Sequence, residues 1–402
     1  MGMGKRAEIE FSLSYQSFCG QHVDRYYVGN VDFWRDVFPG DMAESLEGLA
    51  PGDVYTEQFK PGVLIPPYRQ KSIHVLPKSE FTSLKNGSSM VESLLPGRYY
   101  PKGYGWKNLN TFSVDATPVR IIEDANNTFT IDTNHPLAEK TLTLQATGKS
   151  RPKMVTQRGG AVNDLAALLV DNGPGMQVPI GALVSHAYDE YPFRRDDSGN
   201  DEMYYKKPRL VHHLDSTARM HVRDKYSKLV PSGSRVLDFM SSWESHMSDS
   251  LSDCRVEGLG MNKEELSRNE RLSAFTVQDL NKTVDLPYGD NTFDSVICTV
   301  SIEYLCYPRE IMAELARIIV PGGKLVITVS DRWFPGKEIL PWAELHPFER
   351  QGLVLQYFLN QKDFTDLGTE SIRGYPRPPE DRYSAQMIMS DSLYFVWGTK
   401  VQ

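Results

Sequence analysis

The runs Gly233-Ser-Arg-Val-Leu-Asp238 and Val320-Pro-Gly-Gly-Lys-Leu-Val-Ile-Thr-Val-Ser330 bracket the stretch that decides the fold of this chain. Between them stand Val256-Glu-Gly-Leu-Gly260, Phe275-Thr-Val-Gln-Asp-Leu280 and Thr292-Phe-Asp-Ser-Val-Ile-Cys298. Each is a short apolar run bounded by turn or charged residues, with helical segments between. That alternation predicts a parallel sheet with right-handed crossovers. Ligands of such sheets bind beyond the carboxyl ends of the strands. The residues of interest are therefore those that follow each run: 239–247, 260–262, 279–281 and 300–304.

Outward from this stretch, 402 residues suggest two or three domains. A hydrophobic content of 40% with 24% charged residues is that of a folded, soluble chain. The net charge of -8 argues against a protein that coats nucleic acid, which needs a clustered Lys/Arg excess, so no nucleic-acid partner is expected. Cys19, Cys254, Cys298 and Cys306 form no Cys-x-x-Cys pair and read as free thiols in a reducing compartment; no metal site is expected. No stretch approaches the roughly 18–20 apolar residues that span a bilayer. No apolar region follows Lys5 and Arg6, and Arg6 stands where a myristoylation motif at Gly2 would need Ser or Thr. A cytoplasmic protein without membrane partners is the expectation.

The first 150 residues read as a small α+β domain. Glu8 to Tyr15 alternates apolar and polar residues with a strand's period of two. Asp41 to Asp53 gives a short helix ending in a Pro-Gly turn, Val54 to Phe59 a strand, and Phe112 to Ile122 and Thr128 to Ile131 two more. Leu46-Glu-Gly-Leu-Ala-Pro-Gly-Asp53 and Asn134-His-Pro-Leu-Ala-Glu-Lys-Thr-Leu142 resemble the SlyD-type branch of the FKBP prolyl isomerases. The resemblance implies an FKBP-like domain over 1–150 with an insert-in-flap subdomain at about 73–131. It also implies an isomerase pocket lined by Tyr15 and Asp24 over a floor of Val37 and Phe38, with proline-containing or unfolded polypeptides as partners. Asp41 stands where that family has a large apolar residue, and Leu144 replaces a late aromatic. An FKBP-shaped scaffold without isomerase activity is the competing reading.

Residues 151–204 read as a connector with one helical run from Asn163 to Val170. From Tyr204, apolar residues recur at three- and four-residue steps to Val230, which predicts one long helix. Arg209, His212, His213, Arg219 and His221 on it would face a substrate or solvent.

Residues 205–402 resemble the class I S-adenosylmethionine-dependent methyltransferases. The resemblance rests on Val236-Leu-Asp238, Gln278-Asp279-Leu280, Leu286-Pro-Tyr-Gly-Asp-Asn-Thr-Phe-Asp-Ser-Val-Ile297 and Glu314-Leu-Ala-Arg-Ile-Ile-Val-Pro-Gly-Gly323. It implies a Rossmann-like α/β domain with a mostly parallel sheet and a final antiparallel strand. It also implies S-adenosyl-L-methionine as cofactor, held by Asp238, Ser241, Ser242, Gly260, Asn262, Asp279, Leu280 and Val300. Two positions depart from the pattern. The glycine-rich loop is replaced by Phe239-Met-Ser-Ser-Trp-Glu-Ser-His246, and Gly260 stands where an acidic residue grips the ribose, leaving Asn262 or Glu264 as substitutes. The run from Val236 to His246 with Gly258-Leu-Gly-Met-Asn262 resembles a recurrent methyltransferase-like subgroup. Trp243 would crowd the site or stack on a ligand. Glu303 and Tyr304, after the fourth strand, are the catalytic candidates, with Glu303 as base. Trp333, Phe334 and Trp342 would cap an acceptor pocket or fill the core. Two functions follow: methyl transfer to a small-molecule or protein acceptor, or a prolyl isomerase or chaperone-like adaptor with a non-catalytic methyltransferase-like domain.

Overall fold

The structure, a computed structural model, describes residues 4–81, 94–157, 159–179 and 193–402. Gly2, residues 82–93 of the expected insert and residues 180–192 of the expected connector lie outside the described residues. The chain divides into two compact units. One comprises Met1–Phe18 and Asn30–Glu190; the other comprises Cys19–Gly29 and Tyr191–Gln402. Where the sequence suggested boundaries at 150 and 204, the division falls after Glu190, and Cys19–Gly29 goes with the C-terminal unit.

The first unit contains, in chain order, β1 (Gly4–Ser17), the end of β2 (Gly20–Asp32), α1 (Met42–Glu47), β3 (Val54–Phe59), β4 (Ile73–Pro77), β5 (Tyr99–Pro101) and α2 (Trp106–Leu109). β6 (Pro118–Asp124), β7 (Thr128–Asp132), β8 (Leu142–Gly148), β9 (Lys153–Val155) and α3 (Leu165–Val170) complete it. The alternation in β1 buries Ile9, Phe11 and Leu13. β8 pairs antiparallel with both β1 and β3. β4 to β7 form a separate antiparallel sheet in the order β4-β7-β6-β5, with its own core of Leu76, Phe81, Val119, Ile121, Phe129 and Ile131. The strand expected from Phe112 begins only at Pro118. The Asp115 carboxylate accepts from the Thr117 N–H at 2.9 Å and from the Thr111 hydroxyl, closing a turn that leaves Phe112 and Val114 exposed.

The second unit contains α4 (Asp201–Tyr205), α5 (Ser216–Leu229), β10 (Arg235–Phe239), β11 (Arg255–Gly260), α6 (Lys263–Ser267), β12 (Leu272–Val277) and β13 (Phe293–Thr299). α7 (Pro308–Ile318), β14 (Ile319–Ser330), α8 (Leu340–Glu344), α9 (Pro347–Asn360), β15 (Phe364–Arg373) and β16 (Leu393–Lys400) follow. Its strands lie in the order β12-β11-β10-β13-β14-β16-β15. β10 to β14 are parallel, and β16 runs antiparallel between β14 and β15. The order reverses beside β10, which makes the carboxyl ends of β10 and β13 the topological switch point where such sheets bind ligands. α5 packs Ala218, Val222 and Tyr226 onto the sheet core, and the Tyr226 hydroxyl bonds Thr299 at 2.6 Å and Thr328 at 3.0 Å.

Two expectations for this unit need correction. The long helix predicted from Tyr204 is broken: α5 starts at Ser216, capped by the Asp215 carboxylate, which accepts from the Ala218 N–H at 3.0 Å. Pro208 and that cap leave residues 206–215 non-helical, so the 3.6-residue period there lies on irregular chain. Secondly, β15 has a further parallel partner, the Gln21–Tyr26 part of β2. Asp24 sits in this pairing, 2% exposed, with its carboxylate accepting from the Ser371 hydroxyl at 2.8 Å. It is therefore a strand residue of the C-terminal unit, whereas Tyr15 belongs to the N-terminal one.

Candidate active site

The loops after β10, β11, β12 and β13 wall a cavity of about 470 Å³. Asp238, Ser241 and Ser242 come from the first loop, Gly260 and Asn262 from the second, Asp279 and Leu280 from the third, and Val300 and Tyr304 from the fourth. Glu303 does not reach this wall. It is buried, its surroundings include Arg350 and Glu338, and burial pushes its carboxyl up to about 8. A group that is protonated at neutral pH and turned from the cavity is no base for an acceptor there.

The loop that lacks glycines keeps the backbone shape glycines serve. Met240 takes φ 60° and Val300, at the end of β13, takes φ 44°. Such left-handed conformations cost L-residues about 1–2 kcal/mol each and concentrate at functional sites. The Ser241 N–H donates to the Leu259 carbonyl at 2.7 Å, drawing this loop onto β11. A Cβ on Gly260 would lie 2.1 Å from the Ser241 carbonyl oxygen. The two departures noted in the sequence are thus one: this loop lies so close to β11 that no side chain, acidic or otherwise, fits at 260.

Neither substitute expected at the ribose corner is available. Asn262 donates to the Tyr205 carbonyl at 2.7 Å and accepts from the Glu264 and Glu265 N–H groups, so its amide is spent on holding chain. Glu264 is exposed and pairs with Arg268 at 2.7 Å. The carboxylate on the wall is Glu265, which accepts from the Ser242 hydroxyl at 2.7 Å and from the Arg209 N–H at 2.6 Å. One step along α6 rotates a side chain by about 100°, which separates the two glutamates.

Asp238 is 3% exposed, and the Ser241 hydroxyl donates to it at 2.6 Å. Burial pushes its carboxyl up to about 6, against the pull of Ser241 and Ser245. It pairs with no Lys or Arg among the described residues, and it lies on the cavity wall. Asp279 accepts from the Asn281 N–H at 3.0 Å, which shapes the turn after β12. Trp243 lies on the wall, meets the His212 ring at a tilt of 32° with ring centres 4.6 Å apart, and donates from its indole N–H to the Val211 carbonyl at 3.2 Å. It ties the irregular chain before α5 to the β10 loop. Burial pushes Glu244 up, but His246, Arg219 and His212 hold it down at about 2.

The remaining wall was not legible as one site in the sequence, because it gathers distant segments. Arg209 and His213 come from the chain before α5, Arg332, Trp333 and Phe334 from after β14, and Arg382 and Tyr383 from the loop between β15 and β16. Phe334 stacks on Tyr304 with centres 5.8 Å apart and meets the His213 ring edge-on at 5.2 Å. Trp342, expected beside them, is 1% exposed in the core and absent from the wall.

In the N-terminal unit the expected isomerase pocket is not open at Tyr15. Its side chain is buried, and its hydroxyl accepts from the Gly175 N–H at 3.1 Å and from the Gln177 amide at 2.6 Å. Residues 173–177, including Pro174, are buried there, and a Cβ on Gly175 would lie 2.8 Å from Leu137 and Pro136. Val37 is 53% exposed, and its backbone pairs with Asn163 and Leu165, so it is no pocket floor. Phe38 stacks on Phe33 with ring centres 5.6 Å apart.

With this geometry in view, residues 246–327 match the family described as a methyltransferase domain. That match supports S-adenosyl-L-methionine as its cofactor. The chain is similar to the O-methyltransferase cnsE of Penicillium expansum, at 30% identity over 136 residues, 31% of this chain and 49% of that protein. It is also similar to the ubiquinone/menaquinone biosynthesis C-methyltransferase UbiE of Chromobacterium violaceum, at 28% over 108 residues, 27% of this chain and 41% of that one. The chain thus spans half or less of the length of these relatives. A solved SAM-dependent methyltransferase from Aquifex aeolicus aligns at 17% identity with a TM-score of 0.30, covering 50% of this chain and 97% of that one.

Proposed function

We propose that the C-terminal unit transfers a methyl group from S-adenosyl-L-methionine to a small acceptor held in the same cavity. The observation that carries this reading is Asp238, a desolvated carboxylate at the switch point that lines the cavity without a Lys or Arg partner among the described residues. Burying such a group is costly unless something pairs with it, and the ammonium of an amino-acid ligand does so. Glu265 at the ribose corner and Asp279 beyond β12 supply the hydroxyl and adenine contacts. Bound there, S-adenosyl-L-methionine supplies a methyl group that an acceptor lone pair takes as the sulfur–carbon bond breaks.

The chain's own residues act mainly by position. Trp243 and Asn262 hold the segment over the cavity that excludes water. Tyr304 and Phe334 present ring faces to an acceptor. His213, on the wall, is pushed down to about 4 by burial and then by Arg209, Arg382 and Arg332, so its imidazole is neutral and able to take the acceptor's proton. A cavity of about 470 Å³ shared by cofactor and acceptor favours a small molecule over a protein side chain on a bulky backbone.

For the N-terminal unit we propose an FKBP-type scaffold without isomerase activity. The β1-β8-β3 arrangement with a separate sheet at residues 73–132 supports the FKBP-type reading. The engaged Tyr15 hydroxyl supports the scaffold role.

Calorimetric and thermal-shift titrations of the full chain with S-adenosylmethionine and S-adenosylhomocysteine test the catalytic reading. At a hundredfold excess over its dissociation constant a ligand stabilises the fold by about 2.7 kcal/mol. No shift with either ligand sinks the methyltransferase and leaves the adaptor.

A further inference from the structure

We propose that the acceptor is a planar aromatic carboxylic acid, its carboxylate bound between Arg332 and Arg382. This rests on the methyltransferase reading above and names the substrate class of that cavity.

The wall carries the acidic groups Asp238, Glu265 and Asp279 after the strands, together with Asp201 and Glu244, which already pair with Arg195 and Lys337 and with His212, Arg219 and Arg223; it also carries Arg209, Arg332 and Arg382. The guanidinium carbons of Arg332 and Arg382 each lie 4.6 Å from the centre of the Tyr383 ring. Arg382 has no carboxylate partner among the described residues. Arg332 is 4.0 Å from Asp391, but that carboxylate is already bound by Arg377. Arg209 has no carboxylate partner among the described residues; its guanidinium lies over Phe334 at 5.2 Å and over Tyr204 at 4.5 Å. Arg209 also donates to the Tyr204 carbonyl at 3.1 Å and Arg332 to the Met387 sulfur at 3.5 Å, which leaves Arg382 the least engaged of the three. Planar guanidinium forks turned to a cavity recognise carboxylates.

The loop that presents Arg382 is anchored in place. Arg377 is 6% exposed, binds Asp391, lies 3.5 Å from Asp215 and donates to Asp381 at 3.1 Å. Asp381 in turn accepts from the Tyr383 N–H at 2.9 Å. The Asp215 carboxylate accepts from the Asp391 N–H at 2.7 Å, and the Asp215 N–H donates back to Asp391 at 2.9 Å. Residues 374–392 form no helix or strand, yet this buried network fixes them between β15 and β16. A loop of that length inside a compact unit is usually functional. Arg377 is a positioning residue; Arg382 and Tyr383 are what it positions.

The rings complete the assignment. Tyr304 and Phe334 lie stacked with planes 26° apart, and the His213 ring meets Phe334 edge-on. They lie on the same wall as the arginines, where a planar acid places its ring against aromatic surface and its carboxylate on the forks. Burial is the main cause that holds His213 neutral; a bound anion beside Arg332 and Arg382 removes part of the arginines' smaller share and so raises its basicity.

The experiment is titration of the full chain, with and without saturating S-adenosylhomocysteine, against 4-hydroxybenzoate, 4-hydroxybenzamide and phenyl phosphate, read by ligand-observed NMR and calorimetry. The acid is expected to bind about tenfold or more tightly than its amide, and more tightly than the phosphate. In Arg382→Gln the preference for the acid falls severalfold, and in the Arg332→Gln, Arg382→Gln double variant it disappears, while affinity for S-adenosylhomocysteine stays within about twofold. Arg382 is exposed, so the single variant keeps a reading should the double variant not fold. Equal binding of acid and amide, no binding of the acid at 10 mM, or an unchanged preference in Arg382→Gln overturns the proposal. Tighter binding of phenyl phosphate overturns the carboxylate. Failure of S-adenosylhomocysteine to bind while the acid still prefers the arginines overturns the methyltransferase reading alone.

Discussion

Two places in this chain carry the marks of a ligand site: the loop after β10, and the surroundings of Tyr15. In the first, a buried carboxylate lines a cavity with no Lys or Arg partner among the described residues, and Met240 and Val300 beside it adopt left-handed backbone. In the second, Gly175 and Gln177 already bond the hydroxyl that a substrate would meet, and Pro174 is buried with them. The difference teaches that matching residues do not make a site. What counts is whether the polar groups they bring are left for a ligand or consumed by the chain.

The strongest way to break this contrast is Asp238→Ala. If the carboxylate awaits a cofactor, affinity for S-adenosylhomocysteine falls about 10- to 100-fold by calorimetry. Losing the desolvated charge and losing the acceptor of the Ser241 hydroxyl act on the fold in opposite directions, so stability is measured alongside by urea unfolding. Unchanged affinity would place Asp238 with Tyr15 as a group without a ligand.

Gly260→Ala attacks the loop from the other side. Its methyl collides with the Ser241 carbonyl, so urea unfolding should show a loss of about 1–3 kcal/mol, with weaker cofactor binding. Gly260→Asp, which restores the common acidic residue, should bind no better, because the obstacle is space.

The pH dependence of binding comes next. Burial raises Asp238 to about 6, above its unfolded value, so it stabilises the apo fold at low pH, and that contribution is lost as pH rises through about 6. Cofactor binding has the opposite sign, since the ammonium prefers the charged form. Affinity should hold above about 6 and drop by up to about tenfold per unit below it, measured by calorimetry between pH 5 and 7.5.

The smallest effect is expected at Tyr15. Tyr15→Phe should cost about 0.5–1.5 kcal/mol by removing the oxygen that Gly175 and Gln177 share. The wild-type chain should not accelerate proline isomerisation of a test peptide, because the hydroxyl is engaged. Acceleration by the wild type, lost in the variant, would erase the distinction between the two places.

Legibility followed the range of the forces involved. Val236-Leu-Asp238, the acidic turn at Asp279 and the run into β13 are local patterns, and the strand ends they mark do line one cavity. Glu264 and Glu265 have like neighbours in sequence, and only the turn of α6 puts the second on the cavity wall and the first in solvent. Glu303 looked like a base at a strand end, but its side chain enters the core. Arg209, Arg332 and Arg382 carry no common motif and meet only because the segments before α5, after β14 and after β15 converge.

The sequence by itself determined the α/β order of the C-terminal unit and the places where its strands end, since apolar period and turn residues act within a few positions. Tertiary structure alone decided that Gln21–Tyr26 pairs with β15, that Ser241 leaves no room at Gly260, and that Gly175 and Gln177 close over Tyr15. Each of these joins residues far apart in the chain, through backbone hydrogen bonding or packing that any of many sequences satisfies. No local pattern records them.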